Sequence, residues 1–244
     1  AISFNKAVND QRMMQKPNYL TGMAYLLITS MFSEWFALSA AVISSTLLIW
    51  VWSKLCSLHN NNSAKTIIYN IGLVIGIASF LYYPAIIFVL LFMMGIAITR
   101  PFRLNEWLIG LLGIGTAFYF YAAWIFLSGQ WNSFHFTPIS ISTPVFFETK
   151  WALAAILLVM LSLVLGFYFI QNNMRRQVVQ TRKSWQLIYL YLLTAAFIPF
   201  LNATYSFTSW ILVAVPASLI AGSAFFYPDK KWFPAVIHWG MVAI

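Results

Sequence analysis

Trp151-Ala-Leu-Ala-Ala-Ile-Leu-Leu-Val-Met-Leu-Ser-Leu-Val-Leu-Gly-Phe-Tyr-Phe-Ile170 runs without a single charged side chain. About 20 apolar residues, rising 1.5 Å each in a helix, cover the hydrocarbon core of a bilayer. Lipid offers no partner to backbone N–H and C=O groups, so an apolar run of this length has to be helical. Lys150 stands at one end, and Arg175, Arg176, Arg182 and Lys183 follow the other. The stretch therefore predicts a membrane-spanning helix with one strongly basic end.

Working outward, the pattern repeats. Apolar blocks near 18–32, 36–54, 66–81, 83–99, 106–127, 151–171, 185–201 and 207–226 read as spans, with another starting at 233–244. The predicted fold is all-α: a polytopic transmembrane bundle of about eight or nine spans, with residues 1–244 forming one integral membrane domain. Further helices are expected before Ala1. The blocks 66–81 and 83–99 are short, and read as tilted spans or as a helical hairpin that does not cross. Pro84 between them favours a fresh helix start, because proline suits a first turn and disrupts an interior.

Composition excludes several classes. The chain is 61% hydrophobic and 8% charged, with a mean hydropathy of +0.80, against roughly 25% charged residues in a soluble domain. The net charge of +9 does not predict nucleic-acid binding, because of where the cations fall. Of the 14 Lys and Arg residues, all but Lys150 lie in alternate gaps between the blocks. Short Lys/Arg-rich loops stay on the cytoplasmic side of a membrane, where they attract anionic lipid head groups. The loops near 1–17, 55–65, 100–105, 172–184 and 228–232 are thus expected in the cytoplasm, and the protein in a bacterial inner membrane. One cysteine, Cys56, precludes an internal disulfide.

Gly72 and Gly76 form a G-x-x-x-G that permits close helix approach, with packing inside the chain favoured over a dimer interface. Gly110, Gly113 and Gly115 are expected to act similarly. Trp50, Trp52, Trp107, Trp124, Trp131, Trp151, Trp185, Trp210 and Trp232 read as head-group-level anchors. The outer segment 128–150 is long and aromatic, and is broken by Pro138 and Pro144. Such a loop lies along the membrane surface or covers a site as a lid.

Five carboxylates are present. Asp10, Glu106 and Asp229 have basic neighbours in sequence and are expected in solvated ion pairs. Glu34 sits in a tight turn between two apolar blocks, beside Trp35, where a carboxylate is held near the membrane surface; ionisable groups at such depth tend to be functional. His135, Glu148 and Lys150 share the outer loop and, with Glu34, make the one titratable cluster on that face. Glu34 is the candidate catalytic residue, and His135, Glu148 and Lys150 are candidates for substrate binding, with Lys150 a cation for a phosphate. No metal-binding spacing links His59, His135 and His238. Spans 36–54, 66–81, 83–99 and 151–171 carry no ionisable residue at mid-depth, which disfavours an ion-coupled transporter.

The segments Lys16-Pro17-Asn18-Tyr19-Leu20 to Trp52, Asn70 to Ala85, and Arg100-Pro101-Phe102-Arg103-Leu104-Asn105-Glu106-Trp107 resemble an uncharacterised family of inner-membrane proteins of Bacteroidota. More distantly, the Gly-rich phrase from Gly72 to the break at Pro84 is similar to one in membrane glycosyltransferases of the GT-C type. That resemblance implies a polyprenyl-phosphate lipid as the substrate carrier, a divalent metal as a cofactor, and Glu34 as an acid/base or metal-facing carboxylate at the outer face. It also implies an outer-loop acid before Ala1. No cofactor is evident from the residues themselves. The expected partners are membrane lipids and, in the alternative reading, other subunits of a cell-envelope complex for secretion or motility, in which this chain is not catalytic. The scarcity of polar residues inside the spans supports that alternative.

Overall fold

A computed structural model describes residues 1–59, 63–130, 150–201, 207–228 and 232–243, and every regular element among them is helical. The helices are α1 (Ile2–Asp10), α2 (Leu20–Ser30), α3 (Ala40–Cys56), α4 (Ala64–Leu81), α5 (Phe88–Thr99), α6 (Leu104–Leu127), α7 (Lys150–Met174), α8 (Val179–Phe197), α9 (Ile211–Phe226) and α10 (Trp232–Val242). Tight 3-10 turns at Ser33–Trp35, Tyr83–Ile87, Ile198–Leu201 and Phe207–Trp210 adjoin α2, α5, α8 and α9. Pro84 lies in the first turn of the segment Tyr83–Ile87, as its missing N–H favours.

Five segments are long and apolar enough to cross a bilayer: Ala64–Leu81, Leu104–Leu127, Trp151–Met174, Val179–Leu201 and Phe207–Phe226. The block 66–81 is therefore of full length, whereas Leu20–Ser30, Ala40–Cys56 and Tyr83–Thr99 are shorter apolar helices. Two helices at the basic end depart from the apolar blocks. The nine-residue α1 buries Phe4, Ala7 and Val8, and Phe4 packs edge-on against Trp52, with ring centroids 5.8 Å apart. It is too short to register as a span. Helix α8 likewise starts at Val179, ahead of its apolar block, because helical hydrogen bonding continues into polar surroundings. There the Lys183 Nζ donates to the Thr99 carbonyl at the end of α5, 3.2 Å away, a placement that also suits the negative end of the helix dipole.

Small residues decide the packing. A Cβ at Gly72 would overlap the Gly110 carbonyl, and one at Gly113 would overlap that of Tyr69, so α4 and α6 touch backbone to backbone. The G-x-x-x-G thus works inside the chain. Gly115 has nothing within 4 Å of such a Cβ and faces outward. A Cβ at Gly166 of α7 would overlap the Ile220 carbonyl of α9, and the Ser223 hydroxyl donates to the Gly166 carbonyl at 3.2 Å. Helix α9 is almost wholly buried, whereas most of α6 is not. α9 is therefore the hub, and α6 presents most of its surface outward, where Leu108, Leu112, Tyr119 and Phe120 are exposed.

Trp52 and Trp185 are fully buried, so these two are core residues rather than interfacial anchors. Trp124, Trp151 and Trp232 are exposed, in keeping with an anchoring role. Glu106 also departs from expectation: it is buried, not solvated. Its Oε2 lies 3.0 Å from Arg100 Nε, and its Oε1 lies 4.0 Å from Arg103. The principal core runs through α1, α3, α4, α5, α8 and α9, while a second cluster joins α2, α9 and α10. Tyr25, Trp35, Leu163 and Val213 pack against both, and so mark a seam between them.

Candidate functional site

The seam opens beside Glu34. The turn Ser33–Trp35 is separated from the end of α2 by two residues, and Glu34 is half-buried on it. Its neighbours form an aromatic cluster with a distant segment. Phe32 packs against Trp35 at 4.6 Å and against Phe207 at 4.9 Å, and Trp35 stacks on Phe207 at 5.6 Å with 9° between the rings. The indole N–H of Trp35 donates to the Phe207 carbonyl at 3.2 Å. A carbonyl preceding a helix is thereby satisfied, and the α2–α3 turn is fixed to the start of α9. Stacked and edge-on aromatic pairs each add about 0.5–1.5 kcal/mol beyond burial, so this is a rigid corner.

Below the corner lies a cleft of about 110 Å³ between α2, α7 and α9. Ile28 and Phe32 form one wall, Ile156, Val159, Met160 and Leu163 of α7 a second, and Phe207, Trp210, Val213, Ala214 and Ala217 a third. Every lining side chain is apolar, apart from the indole of Trp35 that is already hydrogen-bonded and that of Trp210. The volume falls below the roughly 300–1,000 Å³ typical of a pocket enclosing a whole small ligand. It suits one segment of a hydrocarbon chain, with the remainder outside.

The sequence candidates divide. Glu34 precedes the lining residue Trp35 but is not itself part of the wall, and no ion pair reaches it among the described residues. Lys150 is the first residue of α7, six positions before Ile156 and so roughly 9 Å from it along the helix axis. His135 and Glu148, together with the proposed lid except for its two ends, lie outside the described residues. Among the described residues, no group of three or more His, Cys, Asp or Glu could hold a metal ion. No run of sequence marks the cleft, because its walls come from positions up to 189 apart in the chain. The one local hint was Trp35, an aromatic set beside the acid of a tight turn.

At the opposite end, Arg100, Arg103 and Glu106 meet at the α5–α6 turn, and Arg100 Nη1 donates to the Leu58 carbonyl at 3.2 Å. The Lys183 Nζ lies 3.5 Å from His59 Nδ1. These bonds tie together the ends of α3, α5, α6 and α8. The seventeen residues of α3 span about 25 Å between this end and the Glu34 turn.

No curated protein and no solved structure matches the chain. A family model covers nearly all of it, from residue 3 to residue 244, including the three segments whose resemblance to an uncharacterised family stood out. The chain belongs to DUF6427, a family of unknown function.

Proposed function

We propose that this protein is an integral membrane protein that holds the hydrocarbon chain of a lipid-linked glycan precursor in the apolar cleft beneath the Glu34 turn, at the outer face of a bacterial inner membrane. The observation that carries the reading is a predominantly apolar recess lined by Trp35, the chain neighbour of the half-buried Glu34. A polyprenyl chain would be recognised there by shape and van der Waals packing, since leaving lipid tails of equal polarity supplies no hydrophobic gain. Its phosphate end would then lie at the level of Glu34 and Lys150. In a GT-C-like reaction Glu34 would take the proton of the acceptor hydroxyl as its oxygen bonds to the sugar and the sugar–phosphate bond breaks, or would help hold a divalent metal, and Lys150 would pair with the departing lipid phosphate. His135 and Glu148 complete the polar side, with the 128–150 loop as the lid. Binding alone needs only the cleft, and so stands apart from the chemistry.

A second reading has its own observation. Helix α6 leaves an open groove lined by Leu108, Leu111, Leu112, Gly115, Thr116, Tyr119 and Phe120. A neighbouring subunit of an envelope complex would cover such a flank, and the chain would then be non-catalytic.

Retention of a radiolabelled polyprenyl phosphate by the purified protein in detergent tests the lead. Ile156→Trp fills the recess from a half-buried wall position and is expected to lower retention at least tenfold, a difference of about 1.4 kcal/mol. Glu34→Gln is expected to retain the lipid while reducing glycan assembly in membranes. Equal retention by wild type and Ile156→Trp would remove the cleft from the proposal, and unchanged glycan assembly in a normally expressed Glu34→Gln would remove Glu34 from the chemistry.

A further inference from the structure

The turn Arg100–Trp107 plays no part in the outer cleft, yet its charges do not balance. One carboxylate faces two guanidinium groups. Glu106, with a side chain only 3% exposed, is met by Arg100 Nε at 3.0 Å, and Arg100 is itself 15% exposed. Arg103 stands at 4.0 Å from the other oxygen with 65% of its side chain exposed. Arg100 thus neutralises the carboxylate from inside, and the charge of Arg103 remains available outside.

The residues on either side of Arg103 are apolar and open. Phe102 and Leu104 are each 65% exposed, and the Phe102 ring rests on that of Trp107, with centroids 5.2 Å apart. An exposed guanidinium between two exposed apolar side chains, at the end of an apolar bundle, matches the boundary of a lipid leaflet. At such a boundary the apolar pair would enter the acyl region, while the guanidinium would sit at phosphate depth. The turn is also held in place: Arg100 Nη1 binds the Leu58 carbonyl and Lys183 Nζ the Thr99 carbonyl, each at 3.2 Å. The backbone that carries Arg103 is thus anchored, and its planar guanidinium offers paired N–H donors that suit a phosphate better than an ammonium does.

We infer that Arg103, flanked by Phe102 and Leu104, is a binding site for the phosphate of an anionic phospholipid head group at the basic end of the bundle. This differs from the diffuse attraction of a basic face for an acidic membrane, because it names one residue and one fixed turn.

Native mass spectrometry of the full chain in non-ionic detergent tests it, with phosphatidylglycerol, phosphatidylcholine and inorganic phosphate as probes. Wild type is expected to retain phosphatidylglycerol over phosphatidylcholine. Arg103→Gln should lower that retention roughly tenfold. Arg103→Lys, which keeps the charge and disturbs the fold least, should lower it by a smaller factor. Lys65→Gln changes an exposed cation at the same end and should leave retention unchanged. Equal retention of the two lipids, an equal loss in Lys65→Gln and Arg103→Gln, or Arg103→Lys matching wild type would each overturn the site. Displacement of phosphatidylglycerol by inorganic phosphate at comparable concentration would overturn the assignment to a lipid.

Discussion

Glu106 illustrates how a single residue can be misplaced by its neighbours in sequence. Three positions from Arg103, it reads as one half of a surface pair, which would contribute about 0–1 kcal/mol. Folding instead buries it against Arg100, which is local in sequence but whose position depends on where the Leu58 carbonyl lies. Removing one member of a buried pair leaves the other charge uncompensated, at a cost of about 3–5 kcal/mol. Glu106→Gln should therefore lower the thermal unfolding midpoint in detergent strongly, and Arg103→Gln only slightly. Equal effects would mean that the carboxylate is shared evenly rather than held by Arg100. Glu34 was legible as a candidate because a carboxylate in a turn between two apolar helices is unusual, but its aromatic setting was not. The partner that stacks on Trp35 is Phe207, 172 residues away.

Among the elements, glycine spacing was the most readable signal. Gly72, Gly76, Gly110 and Gly113 bring α4 and α6 into backbone contact, as the G-x-x-x-G pattern suggests. Gly115 belongs to the same run in sequence but faces away, since helical rotation carries it off the stripe that includes Gly110 and Gly113. The two classes should separate under mutation. Gly72→Ala must part the helices and should cost about 1–3 kcal/mol. Gly115→Ala adds a Cβ to open space and should be neutral or stabilising by up to about 1 kcal/mol, from helix propensity. Unfolding midpoints of the two variants in one detergent check this, and equal shifts would contradict the close approach. Apolar runs located most helices but not α1, which is held by a stripe of Phe4, Ala7 and Val8 rather than by lipid. They also placed the start of α8 too late, because Lys183 makes its bond within the helix's polar first turns.

At the scale of the whole molecule, the apolar blocks of spanning length made the all-α architecture legible. The cleft depends instead on which helices become neighbours around α9, information spread over α2, α7 and the Phe207–Trp210 turn. The cleft at an outer face and the lipid site at Arg103 together require the Glu34 turn and the basic end to lie on opposite sides of one membrane, about 25 Å apart along α3. Cys56, the only cysteine, is 2% exposed, so the native chain offers a quiet background for thiol labelling. The most direct measurement is the reaction of single added cysteines with a membrane-impermeant maleimide in intact cells, repeated on opened membranes. Ser33→Cys, next to Glu34, is predicted to label in intact cells, and Lys65→Cys only after the membranes are opened. Labelling of both positions from the same side would contradict the topology, and with it the placing of the cleft and the basic turn at opposite faces.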